Sequence, residues 1–227
     1  MTSSLLVVGR GRMGRLIESL APDHGFVVAG TVDLEEADRP ETWPKADVAI
    51  DFSIPTAVPV NFSHLASRGI NVVVGTTGWQ AHEGSLRQQA ERSGIGVVAA
   101  PNFAIGVNLF IALVERAAEL WKDQPKFGAW LHELHHAAKL DAPSGTALAL
   151  EAAMRRRGYE HSIDVTSTRA GSIPGRHTVG FDAAAETITL THTARDRTVF
   201  ARGALQAAQW LRGRQGWYTM RDVLGLG

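Results

Sequence analysis

The chain reads as an α/β protein in two parts, an N-terminal parallel sheet with crossover helices and a following α+β domain. Three observations predict this. Short β-branched runs alternate with helical spacing over residues 1–104. The pattern then turns mixed, and no stretch shows an internal repeat or low complexity. The 227 residues, 44% hydrophobic and 20% charged, have ordinary globular composition and fit no more than about two domains.

The elements follow in order. Leu5 to Val8 is a compact apolar run, followed by a glycine-rich turn and a helical pattern through Leu20. Phe26 to Val32, Val48 to Phe52, Ile70 to Val74 and Ile95 to Ala99 repeat the strand theme, with helical spacing at Ala57 to Arg68 and Gln80 to Ser93. Runs that are apolar throughout suit strands covered on both faces. Strand, helix, strand in sequence points to a parallel sheet with right-handed crossovers. Val107 to Lys122 reads as a helix, Phe127 to His136 as a strand of period two, and Ser144 to Arg157 as a helix. Thr187 to Thr193 alternates Ile188, Leu190 and His192 against threonines, which predicts a half-buried strand. Val199 to Leu211 is helical again and is expected to return to the first domain. The predicted division is therefore 1–104 plus 197–227 for one domain and 105–196 for the other, with hinges near Phe103–Gly106 and Arg195–Val199.

Composition excludes several functions. Twenty-three basic and twenty-three acidic residues cancel, so no strong cationic field exists for nucleic acid or an anionic membrane. The one basic run, Arg155 to Arg157, sits at a predicted helix C-terminus, where it complements the dipole. The absence of cysteine removes disulfides, thiolate metal sites and cysteine nucleophiles, and fits a reducing cytoplasm. Gly94 to Val114 carries no charged side chain, but Pro101, Asn102, Asn108 and three glycines make it a strand, a loop and a helix rather than a membrane span. MTSSLLVVGR has no basic start and too short an apolar run for a secretory leader. A cytoplasmic protein is expected.

Two motifs carry chemistry. LLVVGRGRMG places Gly9, Gly11 and Gly14 in G-x-G-x-x-G spacing between a strand and a helix. Gly9 permits the tight turn, Gly11 lets backbone approach a pyrophosphate, and Gly14 lets the helix pack close to the strand. Asp33 follows at the end of the next strand, where a carboxylate accepts hydrogen bonds from an adenosine ribose. Together these predict a Rossmann-type dinucleotide domain; a purely structural glycine turn beside a surface aspartate is the competing explanation. The second motif, ELHHAAKLDAPSGTALAL from Glu133 to Leu150, sets two imidazoles, a lysine and a carboxylate before a helix start. Histidine supplies a proton near neutral pH, lysine holds an anion or helps transfer the proton, and Ser144, Gly145 and Thr146 offer a carboxylate site. The plainer alternative is that His135 and His136 end a strand while Ser144 caps a helix. Adjacent histidines without a third ligand at sensible spacing do not resemble a metal site, so no metal is expected.

These residues resemble a known family. Gly11-Arg12-Met13-Gly14, Gly75-Thr76-Thr77-Gly78, Pro101-Asn102-Phe103 with Gly106-Val107-Asn108, the block from Glu133 to Ala147, and Met220 to Leu224 look like 4-hydroxy-tetrahydrodipicolinate reductase (dihydrodipicolinate reductase), in order over nearly the whole chain. The resemblance implies an oxidoreductase of lysine and diaminopimelate synthesis that reduces (hydroxy-)dihydrodipicolinate to tetrahydrodipicolinate with NADH or NADPH. It also implies a C-terminal domain that binds the cyclic dicarboxylate substrate and builds a homotetramer. On matching positions, His135 is the proton donor and Lys139 its partner. His136, Gly145 and Thr146 hold substrate carboxylates. Gly9, Arg10, Gly11, Arg12, Met13, Gly14, Asp33, Gly75, Thr76, Thr77, Ala100, Pro101, Asn102 and Phe103 line the cofactor.

Two departures from the family pattern bear on the cofactor. The chain is short and its glycine loop lacks one residue of the commoner form. Leu34 follows Asp33 where members using NADPH well often carry a basic residue, and Asp33 would repel a ribose phosphate, so some preference for NADH is expected. Arg12 or Arg39 is the candidate for binding that phosphate. Two other readings compete: a small Rossmann oxidoreductase such as an amino acid dehydrogenase, which leaves the histidine–lysine block without a task, and a catalytically silent nucleotide-binding regulator, which would be expected to lack His135 or Lys139.

Overall fold

The computed structural model describes residues 2–226. Contacts divide the chain into two compact units, one running up to Ile105 and resuming at Thr198, the other spanning Gly106–Arg197.

In the first unit, β1 (Ser3–Val8), β2 (Phe26–Val32), β3 (Val48–Asp51), β4 (Asn71–Val74), β5 (Gly96–Ala99) and β10 (Gly216–Tyr218) form one sheet in the order β10-β5-β4-β3-β1-β2. All five pairings are parallel. The order reverses at β1, whose neighbours are β2 and β3, and such a switch point opens a crevice at the carboxyl ends of the strands. The β1 run is apolar throughout because both faces are covered. Leu5 and Val7 join Ile17 of α1 (Arg12–Leu20) and Leu205 of α7 (Thr198–Trp210) on one side. Leu6 and Val8 join Phe62 and Leu65 of α3 (Val58–Ser67) and Leu86 of α4 (Glu83–Ser93) on the other. Each such side chain, fully buried, stabilises the fold by about 1.5–3 kcal/mol before entropy is counted.

In the second unit, a four-stranded sheet runs β7-β6-β8-β9, with β6 (Gly128–His135) parallel to β7 (Ile163–Arg169) and antiparallel to β8 (Arg176–Ala183), which pairs antiparallel with β9 (Glu186–Thr193). Phe110 and Val114 of α5 (Ile105–Trp121) and Leu150 and Met154 of α6 (Gly145–Arg156) pack on Leu131, Val179 and Phe181 to make its core. β9 is an edge strand and keeps the expected alternation: Leu190 and His192 are half-buried, with Leu190 against the core and His192 stacked on Phe110, the threonines are exposed, and Ile188 is 36% exposed. Strands β7, β8 and β10 and the short helices α2 (Leu34–Ala37) and α8 (Met220–Val223) are absent from the sequence reading.

The basic run is spoken for. Arg155 donates to the carbonyls of Tyr159 and His161, while Arg156 and Arg157 pair with buried Glu115 of α5. Among the described residues no helix is long and apolar enough to cross a membrane.

Candidate active site

The expected nucleotide residues of the first unit follow the carboxyl ends of β1, β2, β4 and β5. Gly9 leaves β1 with φ +87°, and a Cβ there would stand 2.6 Å from the Phe52 carbonyl oxygen, so the turn admits only glycine without strain. Gly11 is the N-cap of α1, with open space where its side chain would be. Gly14 faces the Gly9 carbonyl at overlap distance for any Cβ. Met13 packs partly buried against the core on the α1 side. The N-terminus of α1 thus meets a turn that carries no side chain at Gly9 and Gly11, which fits an anionic phosphate group held by backbone N–H donors.

Gly9, Arg10, Gly11 and Asp33 line one cavity of about 240 Å³ together with Leu34, Ala37, Phe52, Ser53, Ile54, Ala57 and Asn61. The carboxylate of Asp33 accepts the Glu36 N–H while the Glu36 side chain accepts the Asp33 N–H at 3.0 Å, a capping box that fixes Asp33 at the start of α2. Arg10 lies 3.5 Å from Glu18, and Arg39 donates to the Glu35 carbonyl at 3.1 Å. Arg12 is exposed at the first position of α1.

Gly75, Thr76 and Thr77 follow β4. Thr76 donates to Asp51 Oδ1 at 3.1 Å, and Thr77 is exposed. Asp51 is a buried acid the sequence reading passed over. Burial pushes its carboxyl up, while Ser53, Asn61 and Thr76 donate to it and tie the loops after β3 and β4 together. Ala100 and Phe103 are buried after β5, Pro101 is exposed, and Asn102 accepts the Ala104 N–H at 2.9 Å.

The second unit holds a tight polar cluster. Period two along β6 puts Ala129, Leu131, Glu133 and His135 on one face, and all four are buried, so the apolar core gives way to a carboxylate and an imidazole at the strand's end. Register supplies the partners: Glu133 lies opposite Ser167 of β7 and His177 of β8, and His135 opposite Arg169 of β7. Glu133 Oε1 accepts from Arg169 Nη2 at 2.6 Å, Ser167 Oγ at 2.7 Å and the Ser144 N–H at 3.1 Å. Its Oε2 lies 2.7 Å from His135 Nδ1 and 3.8 Å from His177 Nε2. Burial alone would push this carboxyl up; the donors, Arg169 foremost, outweigh it and hold the pKa at about 2.

Burial lowers His135 below the usual imidazole range, with Glu133 opposing and Lys139 and Arg169 adding to the shift. Burial likewise lowers His177 to about 4, and the neighbouring His135 adds to it. His177 Nε2 and Ser144 Oγ are 3.1 Å apart, and Ser144 also caps α6 by accepting the Ala147 N–H at 3.2 Å. Lys139 donates to both oxygens of Asp141 at 2.7 and 2.9 Å. His136 is half-buried just after β6, and Gly145 and Thr146 open the first turn of α6.

The structure therefore brings His135, Lys139, Gly145 and Thr146 onto one strand end, one loop and one helix start, and adds Glu133, Arg169 and His177. Of these three, Glu133 opened the motif already noticed. Arg169 and His177 lie on strands that carry no local signal. Glu133, His135 and His177 each bring a donor atom within 4.8 Å of the others. The guanidinium of Arg169 on that same carboxylate opposes a second cation, and the set reads as a proton-handling group.

Comparison with known proteins covers nearly the whole chain. Residues 3–103 match the family model described as dihydrodipicolinate reductase, N-terminus, and residues 106–224 the one described as dihydrodipicolinate reductase, C-terminus. The 4-hydroxy-tetrahydrodipicolinate reductase of Acidiphilium cryptum is 41% identical over 95% of this chain and 94% of its own length. That of Christiangramia forsetii is 35% identical over 97% of both. A dipicolinate-bound dihydrodipicolinate reductase from Paenisporosarcina sp. TG-14 has the same fold, with a TM-score of 0.83 at 21% identity over 96% of this chain and 98% of its own. Aspartate dehydrogenase from Thermotoga maritima shares the fold more loosely, at a TM-score of 0.52 and 12% identity over 94% of this chain and 98% of that one.

Proposed function

The chain belongs to the dihydrodipicolinate reductase family, and from that membership we propose how its residues reduce 4-hydroxy-tetrahydrodipicolinate to tetrahydrodipicolinate in lysine and diaminopimelate synthesis. The observation that carries the mechanism is the buried Glu133–His135 contact beside the start of α6. The substrate loses its hydroxyl as water and gains a hydride and a proton. A bound reduced pyridine nucleotide supplies the hydride.

The protein's own residues bind and protonate. Lys139, His136 and the first turn of α6 at Gly145 and Thr146 neutralise the two substrate carboxylates, by an ammonium charge, an imidazole, a hydroxyl and backbone N–H groups. His135 turns its Nδ1 edge to Glu133, so Nε2 is the atom that hands over the proton. Lys139 leaves Asp141 to meet the substrate and assists that transfer. Arg169, locked on Glu133, stiffens the strand end that carries His135.

In the first unit, the turn from Gly9 to Gly14 would hold the pyrophosphate of a bound dinucleotide, and the 240 Å³ cavity, lined by Asp33, Leu34, Ala37 and Ile54, would receive its adenosine end, with Asp33 the acceptor for the ribose hydroxyls. Gly75 to Thr77 and Ala100 to Phe103 line the remaining length. Asp33 repels a ribose phosphate and Arg39 is turned back on α2, which supports a preference for NADH. The enzyme works as a cytoplasmic homotetramer. The sheet face of Trp130, His132 and Leu134, which alternates with the core-facing residues of β6, supports self-association through the second unit.

The deciding assay follows oxidation of NADH or NADPH by purified protein with substrate generated in situ from pyruvate and aspartate semialdehyde. Substrate-dependent oxidation is expected. Its absence with both nucleotides would refute the proposed reaction.

A further inference from the structure

We propose that Glu133 is a positioning residue for His135, gripping the imidazole by Nδ1 and partnering its positive charge when Nε2 takes up a proton. The inference rests on the reading of His135 as the proton donor and extends it to a buried group that does not itself reach the substrate.

The geometry is one-sided. Oε1 is filled by Arg169, Ser167 and Ser144, whereas Oε2 and His135 Nδ1 lie 2.7 Å apart in an ion-pair contact, and neither has a well-aligned hydrogen-bond partner among the described residues. A fully buried carboxylate needed only to bind Arg169 would have no reason to turn its second oxygen toward an imidazole. An ionised carboxylate only accepts. Neutral His135 therefore keeps its single proton on Nδ1, and Nε2 is left bare. A proton taken from water at Nε2 makes the imidazolium. Its transfer breaks the Nε2–H bond, forms the new bond to hydrogen on the substrate, and restores the neutral Nδ1–H ring.

The groups facing His135 set the balance. Glu133 on β6 favours the imidazolium. Arg169 on β7 and Lys139 in the loop after β6 oppose it, the latter masked by Asp141. His177 on β8 lies ring to ring at 5.1 Å, with His192 of β9 acting on it in turn. Removing the carboxylate leaves Arg169 uncompensated beside the ring, so the charged form is penalised twice.

The test measures kcat, KM and nucleotide Kd against pH for wild type, Glu133→Gln, Glu133→Asp and His135→Gln. Glu133→Gln is expected to lower kcat at mildly alkaline pH by about 10–100-fold, with KM and nucleotide Kd within about twofold, and to move the alkaline limb of kcat down by about one pH unit. Glu133→Asp is expected to recover part of both. A folded Glu133→Gln with an unmoved limb overturns the proposal. Nitrogen-15 NMR of the imidazoles in the wild-type protein keeps the test independent of whether the variant folds: neutral His135 with its proton on Nδ1 supports the grip, and a proton on Nε2 overturns it. Wild-type turnover in His135→Gln would instead remove the donor reading, while the tautomer would still decide whether Glu133 holds the ring.

Discussion

The carbonyl oxygen of Gly9 occupies the space where a side chain on Gly14 would begin. The first turn of α1 and the end of β1 therefore touch backbone to backbone, and the oxygen cannot swing aside as a flexible side chain would. Gly14→Ala is expected to destabilise the protein by about 1–3 kcal/mol, as overpacking does, and to weaken nucleotide binding by displacing the helix start. Thermal unfolding and nucleotide titration check this. Unchanged values in both would show that the close approach has no bearing on the nucleotide site.

Cofactor choice turns on Asp33. With its carboxylate at the cavity wall and Arg39 engaged with Glu35, NADH is expected to have a kcat/KM advantage of about tenfold over NADPH, roughly 1.4 kcal/mol. Asp33→Ser, which keeps a capping oxygen for α2, should narrow that gap by relieving the repulsion. A ratio favouring NADPH in the unaltered protein contradicts the assignment.

The proton-donor role of His135 separates from substrate binding by kinetics. His135→Gln is expected to reduce kcat by about 100-fold or more while nucleotide affinity stays near normal, because the imidazole acts late along the reaction. His136→Ala and Thr146→Val should instead raise KM several-fold with a smaller change in kcat. Comparing the kcat and KM of the three variants decides it; equal effects on both parameters in all three would dissolve the division of roles.

Much of the first unit was legible because β1, β4 and β5 are buried on both faces and read as apolar runs, as does β3 up to its terminal Asp51. The glycine spacing and the block from Glu133 to Thr146 were legible for the same reason of locality, since their residues sit close in sequence. The partners of Glu133 were not. IDVTSTR and RHTVGFDA lack a clean hydrophobic alternation because β7 gives Ser167 and Arg169 to the polar cluster and β8 gives His177. Only strand register, a long-range property, sets those residues opposite β6. Glu133 itself opens the motif the sequence singles out, but its full burial is a property of the fold.

Acid sensitivity follows from the same cluster. His177 falls to about 4 in the folded protein from its usual 6.5, so the unfolded chain takes up the proton first, and stability complete above pH 6.5 is lost as pH falls toward 4. Glu133, held at about 2 against an ordinary 4.5, adds a second loss in the same direction below pH 4.5. The unfolding midpoint in urea is therefore expected to be flat from pH 8 to about 6.5 and to decline steadily below. In His177→Gln, which can still meet Ser144 through its amide, the decline between pH 6.5 and 4 should be shallower, the remainder coming from His135 and His192, which burial also lowers. A wild-type midpoint unchanged down to pH 4 would mean that His177 is not held neutral by its burial.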